Sequence, residues 1–256
     1  MMIQSPTFAM RLARDATDLL AAQRLRYRVF VQELGGDGPL VDHQRGLERD
    51  QFDAAFDHLL LIDPLRPDGD HVIGVYRLLR AEGAQKLGQF YSEDEYDLTP
   101  LRQSGHSLLE LGRSCLHPAY RGGMAMYRLW QGLAAYVADH RIEVLFGVAS
   151  FHGSDPQALA QPLSYLHQHH LAPAPMRVTS RRYQPMDLVP ADRIDRRQAM
   201  LQTPALVKAY LRLGGTVGDG AFIDAAFNTV DVCLVMETAQ MNSRQKRLYT
   251  RPGRHL

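Results

Sequence analysis

The chain has 256 residues, 45% of them apolar and 22% charged, with 29 Lys and Arg against 28 Asp and Glu and a net charge of +1. That balance excludes nucleic-acid binding driven by bulk charge, and no apolar run approaches the roughly 20 residues of a spanning helix. Two cysteines, Cys115 and Cys233, exclude a disulfide framework; with no CxxC and no signal-peptide pattern they predict a cytoplasmic protein.

In chain order, residues 7–14 alternate in part and predict a first strand with Phe8, Met10 and Leu12 on one side. Thr17 is expected to cap a helix running from Asp18 to about Leu34, closed by Gly35 and Gly36. Leu20, Tyr27, Val31 and Leu34 share one helical face, and Arg24, Arg26 and Arg28 are interleaved with them. Residues 36–51 are polar and glycine-rich and predict an ordered loop. Apolar runs at 58–62 and 71–79, separated by DPLRPDGD, predict strand, turn and strand. Residues 88–99 predict a loop with one short helix.

The central stretch is 108–155. An apolar run with one acid, Glu110, leads to Pro118, Arg121, Gly122 and Gly123, then to a helix over about 123–140 and a second buried strand at 144–149. Strand, glycine turn, helix and strand place backbone N–H groups at a helix N-terminus, where an anion can sit. Beyond it, residues 156–170 predict a helix, 177–197 an exposed connection, and Thr203-Pro204 a helix start stopped by Gly214-Gly215. Residues 230–236 predict a last buried strand. No stretch reads as an interdomain linker, so residues 1–239 are expected to form a single α/β domain with a basic C-terminal tail at 240–256.

The stretches LRYRVF at 25–30, FDHL at 56–59, VIGVYRLL at 72–79, LELGRSC at 109–115, ASFHGSDP at 149–156, YLRLG at 210–214 and FNTVD at 227–231 run in order along the chain. Together they resemble the L-ornithine N(alpha)-acyltransferase family, which is similar in turn to the acyl-homoserine lactone synthases. Arg26 and Phe30, Asp50 and Asp53, and Glu110 and Arg113 match the pattern of those synthases. Their tryptophan six residues after the Phe is Gly36 here, and their Ser before the central Arg is Gly112. The resemblance implies a GNAT-like (acyl-CoA N-acyltransferase) fold, a mixed central β-sheet flanked by helices and splayed between 108–114 and 144–150. It also implies transfer of a 3-hydroxyacyl chain from acyl carrier protein to the α-amine of ornithine, giving lyso-ornithine lipid. No cofactor is implied, since the donor is the acyl-phosphopantetheine of the carrier. The lipid product implies peripheral contact with a membrane. The alternatives are an acyl-homoserine lactone synthase and a carrier-protein-binding module without catalysis.

N-acylation needs a base for the amine, which arrives as ammonium, and donors for the tetrahedral oxyanion. Glu110 is the candidate base; the alternative is a structural carboxylate paired with Arg113 or Arg77. Arg113 is the candidate to hold Glu110 or the 3-hydroxyacyl group; the alternative is a structural salt-bridge partner. Backbone N–H groups around Ser114 and Cys115 are the candidate oxyanion donors. Arg121, Gly122 and Gly123 are candidates for the pantetheine phosphate; Met124 stands where a full diphosphate loop has Gly, which suits a single phosphodiester. Asp50, Asp53, Asp57 and Asp231 are carboxylates for a dibasic side chain, with Asp50 and Asp53 favoured by the resemblance. Arg26 is a cation for its carboxylate, unless it lies on a solvated helix face. Tyr165 and Ser154 are weaker candidates to help the thiolate leave. His167, His169 and His170 lack a motif partner and are expected as helix-end histidines, with no metal site. Arg121, Arg128 and Arg141, or the basic tail, are candidates to dock an acidic carrier protein; the alternative is a solvated face.

Overall fold

A computed structural model describes residues 8–241. Along the chain it contains β1 (Ala9–Leu12), α1 (Ala16–Arg26) continuing into a π-helix (Tyr27–Glu33), β2 (Asp57–Ile62), β3 (Val72–Arg80) and α2 (Ala81–Leu87). Then come β4 (Tyr96–Asp97), α3 (Thr99–Gln103), β5 (Leu108–Leu116), α4 (Ala125–Asp139), β6 (Val144–His152) and α5 (Ala160–His170). The chain closes with β7 (Thr179–Ser180), α6 (Arg196–Gln202), α7 (Ala205–Leu213), β8 (Thr216–Val217), β9 (Phe222–Asp224) and β10 (Thr229–Glu237). No helix among the described residues is long and apolar enough to cross a membrane.

The residues form two compact units. The first comprises the described residues up to Leu79 together with Leu111–His140. In it β1, β2 and β3 pair antiparallel, with Ala9 opposite Ile62 and Leu60 opposite Val75. Seven of the nine residues of β3 are apolar or glycine, and Val72 to Leu79 are buried throughout. α4 lies on β1 and β2 through a face of Leu129, Trp130, Gly132, Leu133 and Tyr136, all buried. Gly132 is what allows the approach: a Cβ there would sit 2.3 Å from Met10 Sδ and 3.2 Å from Leu59. Tyr136 ties the far end of α4 to β2 by donating to Asp57 Oδ2 at 2.5 Å.

The second unit comprises Arg80–Glu110 and the described residues from Arg141 onward. Here the first residues of β5 run parallel to β6, with Leu108 opposite Val144 and Glu110 opposite Phe146. β6 pairs antiparallel with β10 along its whole length, Thr229 opposite His152 and Glu237 opposite Val144. β9 and β8 then pair with the two ends of β10. α5 packs on α6 with Leu163 and Leu166 buried.

Several boundaries differ from expectation. The cap of α1 is Asp15, whose carboxylate accepts from the N–H groups of Thr17 and Asp18, so the helix starts before Thr17. The expected helix to Leu34 is α-helical only to Arg26. Residues Tyr27–Glu33 have the wider π turn, closing with the Leu34 N–H on the Val29 carbonyl at 3.2 Å. α2 was hidden by its polar composition and its internal Gly83. The connection 177–197 is not simply exposed: Val178 and Met186 are buried, and Asp195 caps α6, which begins at Arg196. Pro204 is the N-cap of α7 rather than its first residue, and Gly214 ends it at φ +100°. The tail from residue 240 lies, beyond Met241, outside the described residues.

Replacing Gly132 by Leu should destabilise the protein by about 1–3 kcal/mol by forcing α4 off β1 and β2. Urea unfolding measures this directly; an unchanged midpoint would show that α4 is free to shift.

Candidate active site

The first unit buries an unusual amount of charge. Arg26, in the last turn of α1, has no exposed surface, and its guanidinium contacts Glu48 through Nε and Asp53 through Nη1. Arg77, from the middle of β3, is equally buried and donates through Nη1 to Asp50 at 2.7 and 2.8 Å and to Asp53 at 2.9 Å. Its guanidinium stacks on Phe56, 4.3 Å from the ring centre. Arg113, from β5, reaches Glu48 at 3.1 Å and Asp50 at 3.5 Å. Three guanidiniums thus meet three carboxylates, all from the loop 48–53. Gln23 Nε2 donates to Asp53 at 2.9 Å, and His58 Nε2 donates to the Asp53 carbonyl at 2.9 Å.

The loop holds its acids in place with its own backbone. The Phe52 N–H donates to Asp50 Oδ1 at 2.9 Å, and the Glu48 N–H to the Gln23 carbonyl at 3.2 Å. Burial pushes the Glu48 carboxyl up, but the charges of Arg113 and Arg26 outweigh it and hold the group down at about 2. Asp53 is lowered further, against its burial, by Arg26 and Arg77. Burial lowers His58, which is therefore neutral at pH 7.

Only the rim of this network meets solvent. The side chains of Arg113 and Asp50 keep 13% and 19% of their exposure, and Phe30 lies beside them with its ring centre 5.9 Å from the Arg113 guanidinium carbon. Arg113 has φ +48° in the middle of a strand, a conformation that costs a non-glycine residue about 1–3 kcal/mol and persists only where the surroundings impose it. In that conformation its guanidinium contacts Glu48 and Asp50.

In the second unit, Glu110 is buried and both its oxygens accept hydrogen bonds. Oε2 takes the Tyr91 N–H at 2.8 Å; Oε1 takes the Ser92 N–H at 2.6 Å and also the Ser92 hydroxyl. These donors lie in a 3-10 turn, Tyr91–Asp94, anchored by Phe90, which packs edge-on against Phe146 at 5.1 Å. Asp231 is also in this unit, on β10, where its carboxylate clusters with Glu95 and Asp224.

The loop before α4 carries Arg121, Gly122 and Gly123. Gly122 has φ +77°, and the N-cap of α4, Met124, supplies no side-chain cap. Arg121 is engaged: it pairs with Glu33 at 2.5 and 2.8 Å, so a phosphate must compete with that carboxylate. Cys115 is buried and desolvation pushes its thiol up to about 12, which makes it a packing residue and not a nucleophile. Ser114 follows Arg113 on β5. Tyr165 is buried with its ring against His169 and His170, while Ser154 is exposed. His167 faces Asp219 at 4.0 Å.

Four of the residues singled out from the sequence, Arg26, Phe30, Asp50 and Asp53, come together with Arg113. The solvated-face alternative for Arg26 is overturned, because the side chain is wholly buried. Glu48, Arg77, Gln23 and His58 were missed. Arg77 did carry a signal, since an arginine inside an apolar strand needs a buried acid; Glu48, in a polar loop, carried none.

Asp53→Ala should cost about 3–5 kcal/mol, because Arg26 and Arg77 are left buried with too few counter-charges; thermal or urea unfolding reads this. Glu48 has a folded pKa of about 2 against an ordinary 4.5, so its stabilising contribution is complete above 4.5 and is lost as pH falls toward 2. Glu48→Gln should therefore flatten the stability curve between pH 4.5 and 2. A slope equal to that of the unaltered protein would assign acid unfolding to other groups.

Residues 25–131 match the acetyltransferase (GNAT) domain family. An N-acyl amino acid synthase from uncultured soil microbes shares the fold, with TM-score 0.52, 12% identity and 92% and 93% of the two chains covered. So does a CoA-dependent acyl-homoserine lactone synthase, with TM-score 0.51, 12% identity and coverage of 91% and 81%. The chain is therefore of the GNAT-like mixed α/β class expected from its sequence. The L-ornithine N(alpha)-acyltransferase of Rhodobacter capsulatus is 58% identical over 247 residues, covering 96% of this chain and 95% of its own. The protein of the same name from Agrobacterium fabrum is 41% identical, over 95% and 85% of the two chains. At that identity over nearly the whole length, the chain is an acyltransferase that belongs to the L-ornithine N(alpha)-acyltransferase family.

Proposed function

We propose that this protein transfers a 3-hydroxyacyl chain from acyl carrier protein to the α-amine of L-ornithine, forming lyso-ornithine lipid. The observation that carries the reading is the 58% identity over 96% of the chain to an enzyme named for that acceptor. The rim of the buried network suits the substrate. Arg113 offers a guanidinium for the ornithine carboxylate, and Asp50 a carboxylate for its side-chain ammonium, with Phe30 against the aliphatic part. Arg26 and Asp53 support these groups from behind. The donor needs no separate cofactor, because the thioester travels on the carrier's pantetheine arm. Its phosphodiester is assigned to Arg121, Gly122, Gly123 and the start of α4, where one phosphate displaces the Arg121–Glu33 pair. Arg128 on α4 is a further contact for an acidic carrier.

Chemistry follows direct attack. Glu110 accepts the proton from the ornithine ammonium, directly or through a water, and the free amine attacks the thioester carbonyl. The tetrahedral oxyanion accepts from backbone N–H groups near Ser114; it collapses to the amide as the pantetheine thiolate leaves and takes up the proton that the attacking nitrogen gives up. Tyr91 and Ser92 fix the orientation of Glu110 during these steps. The setting proposed is the cytoplasm, with transient contact between enzyme and membrane as the lipid product departs.

Purified protein incubated with 3-hydroxyacyl carrier protein, mixed amino acids and S-adenosylmethionine should yield N-acyl-ornithine by mass spectrometry. A lactone would move the chain to the signal-synthase chemistry, and acylation of another amine would discard ornithine. Glu110→Gln should lower kcat by about 10²–10⁴-fold with the fold intact; full turnover would remove Glu110 as base. Asp50→Asn should raise the KM for ornithine more than it lowers kcat.

A further inference from the structure

On the side of α1 away from Arg26 there is a second feature, separate from the buried network. A cleft of about 270 Å³ opens between the end of α1, the π-helix and the turn joining β2 to β3; Arg24, Tyr27, Arg28, Gln32, Gly69 and Asp70 line it. We propose that this cleft is a binding site for a phosphate group, gripped by Arg24 and Arg28.

Four observations support it. First, Arg24 makes no ion pair among the described residues, and yet its guanidinium is not simply extended into water. It lies against the backbone of Gly69, where a Cβ would sit 2.6 Å from Nη1. Gly69 has φ +84°, so both its conformation and the space above it favour glycine, and the guanidinium is placed by that space. Second, Arg28 stands four residues on and is therefore a neighbour on the same helical face. It pairs through Nη1 with Asp70 at 3.1 Å, and its side chain is 41% exposed. Third, Asp70, the acid of the cleft, is shared with Arg66, so positive charge exceeds negative around the opening. His117, which meets Arg66 at 3.5 Å, is lowered first by burial and then by the charges of Arg28 and Arg66. Fourth, the α-helix changes to a π-helix at Tyr27, within the lining, and Gln32 then contributes an amide to the same opening.

Two guanidinium forks suit a tetrahedral oxyanion better than a carboxylate, since three oxygens can accept from both forks at once. The group belongs either to a soluble phosphate ester or to the headgroup of an anionic lipid. Arg121, Gly122 and Gly123 are not among the residues lining the cleft, and the proposal does not rest on the proposed reaction.

The test is calorimetric titration of the full chain with inorganic phosphate at low ionic strength. Expected is one saturable site, weakened at least tenfold by Arg24→Gln and by Arg28→Gln, with the phosphate-free melting temperature unchanged in Arg24→Gln. Absence of saturable binding would overturn the proposal. So would equal affinity in Arg24→Gln, or loss of binding in Arg121→Gln alone, which would place the phosphate on the loop before α4. Sedimentation with phosphatidylglycerol or phosphatidylcholine vesicles separates the sources. Arg24-dependent sedimentation with phosphatidylglycerol alone supports a lipid headgroup. No sedimentation, with Arg24-dependent phosphate binding retained, supports a soluble ester. None of these readouts requires turnover.

Discussion

Arg26 and Arg77 have no surface in contact with water, and an isolated guanidinium in that position would cost several kcal/mol or more. Three acids from one short loop offset that cost, and the rest of the first unit follows from where they must stand. Glu48, Asp50 and Asp53 have to converge from both sides of a turn, so the loop 48–53 is ordered by its own Asx-type hydrogen bonds, without regular secondary structure. Asp53 accepts from Arg26, Arg77 and Gln23, and so links α1 to β3 through one carboxylate. Replacing such a buried network by an apolar core of the same volume is often neutral or stabilising. What the ionic version supplies is fixed charge, with its rim at Arg113 and Asp50.

Fixed charge is what an acyl transfer to a zwitterionic amino acid needs. Dipoles and ions already oriented before substrate arrives contribute without reorganising during the reaction. The strain at Arg113 belongs to the same logic. The residue stands at φ +48° in a strand, and in that conformation its guanidinium contacts Glu48 and Asp50. The guanidinium is therefore aimed by the network as well as balanced by it. Three residues earlier on the same strand, Glu110 is held by a different device, two backbone N–H groups and a hydroxyl from a 3-10 turn. One strand thus carries two charged side chains, each immobilised by its own surroundings.

Much of this fold was legible because its core obeys simple periodicities. The runs at 58–62 and 71–79 are too apolar to be anything but buried strands, and the α4 face at Leu129, Leu133 and Tyr136 repeats at helical spacing. The two short helices were missed for one reason. α2 and α6 are seven residues each with only three apolar side chains, so their stability comes from packing and caps, which periodicity does not register. The π-helix was invisible for the opposite reason: its residues fit an α-helical pattern equally well, and the register change is imposed by what the turn must reach. At the candidate site, the family resemblance singled out Arg26, Asp50, Asp53 and Arg113, and the structure brings these four together. Their mutual pairing did not follow from type or spacing, because loop 36–51 gave no sign that Glu48 would be buried.

Glu48 also shows why charge counts along a sequence mislead. The overall balance is +1, which describes a nearly neutral surface. Within the first unit, charge is sorted: acids collect on the Arg26 side of α1, while Arg24 and Arg28 face a cleft whose one acid is shared with Arg66. A helix with arginines at 24, 26 and 28 cannot direct all three to one face at 100° per residue. Two turn one way and the third turns the other. The side that receives Arg26 must bury it and therefore must supply acids; the side that receives Arg24 and Arg28 stays open and need not. The asymmetry between a neutralised interior and a cationic cleft is thus written into the spacing of three arginines once the helix is placed against β2 and β3.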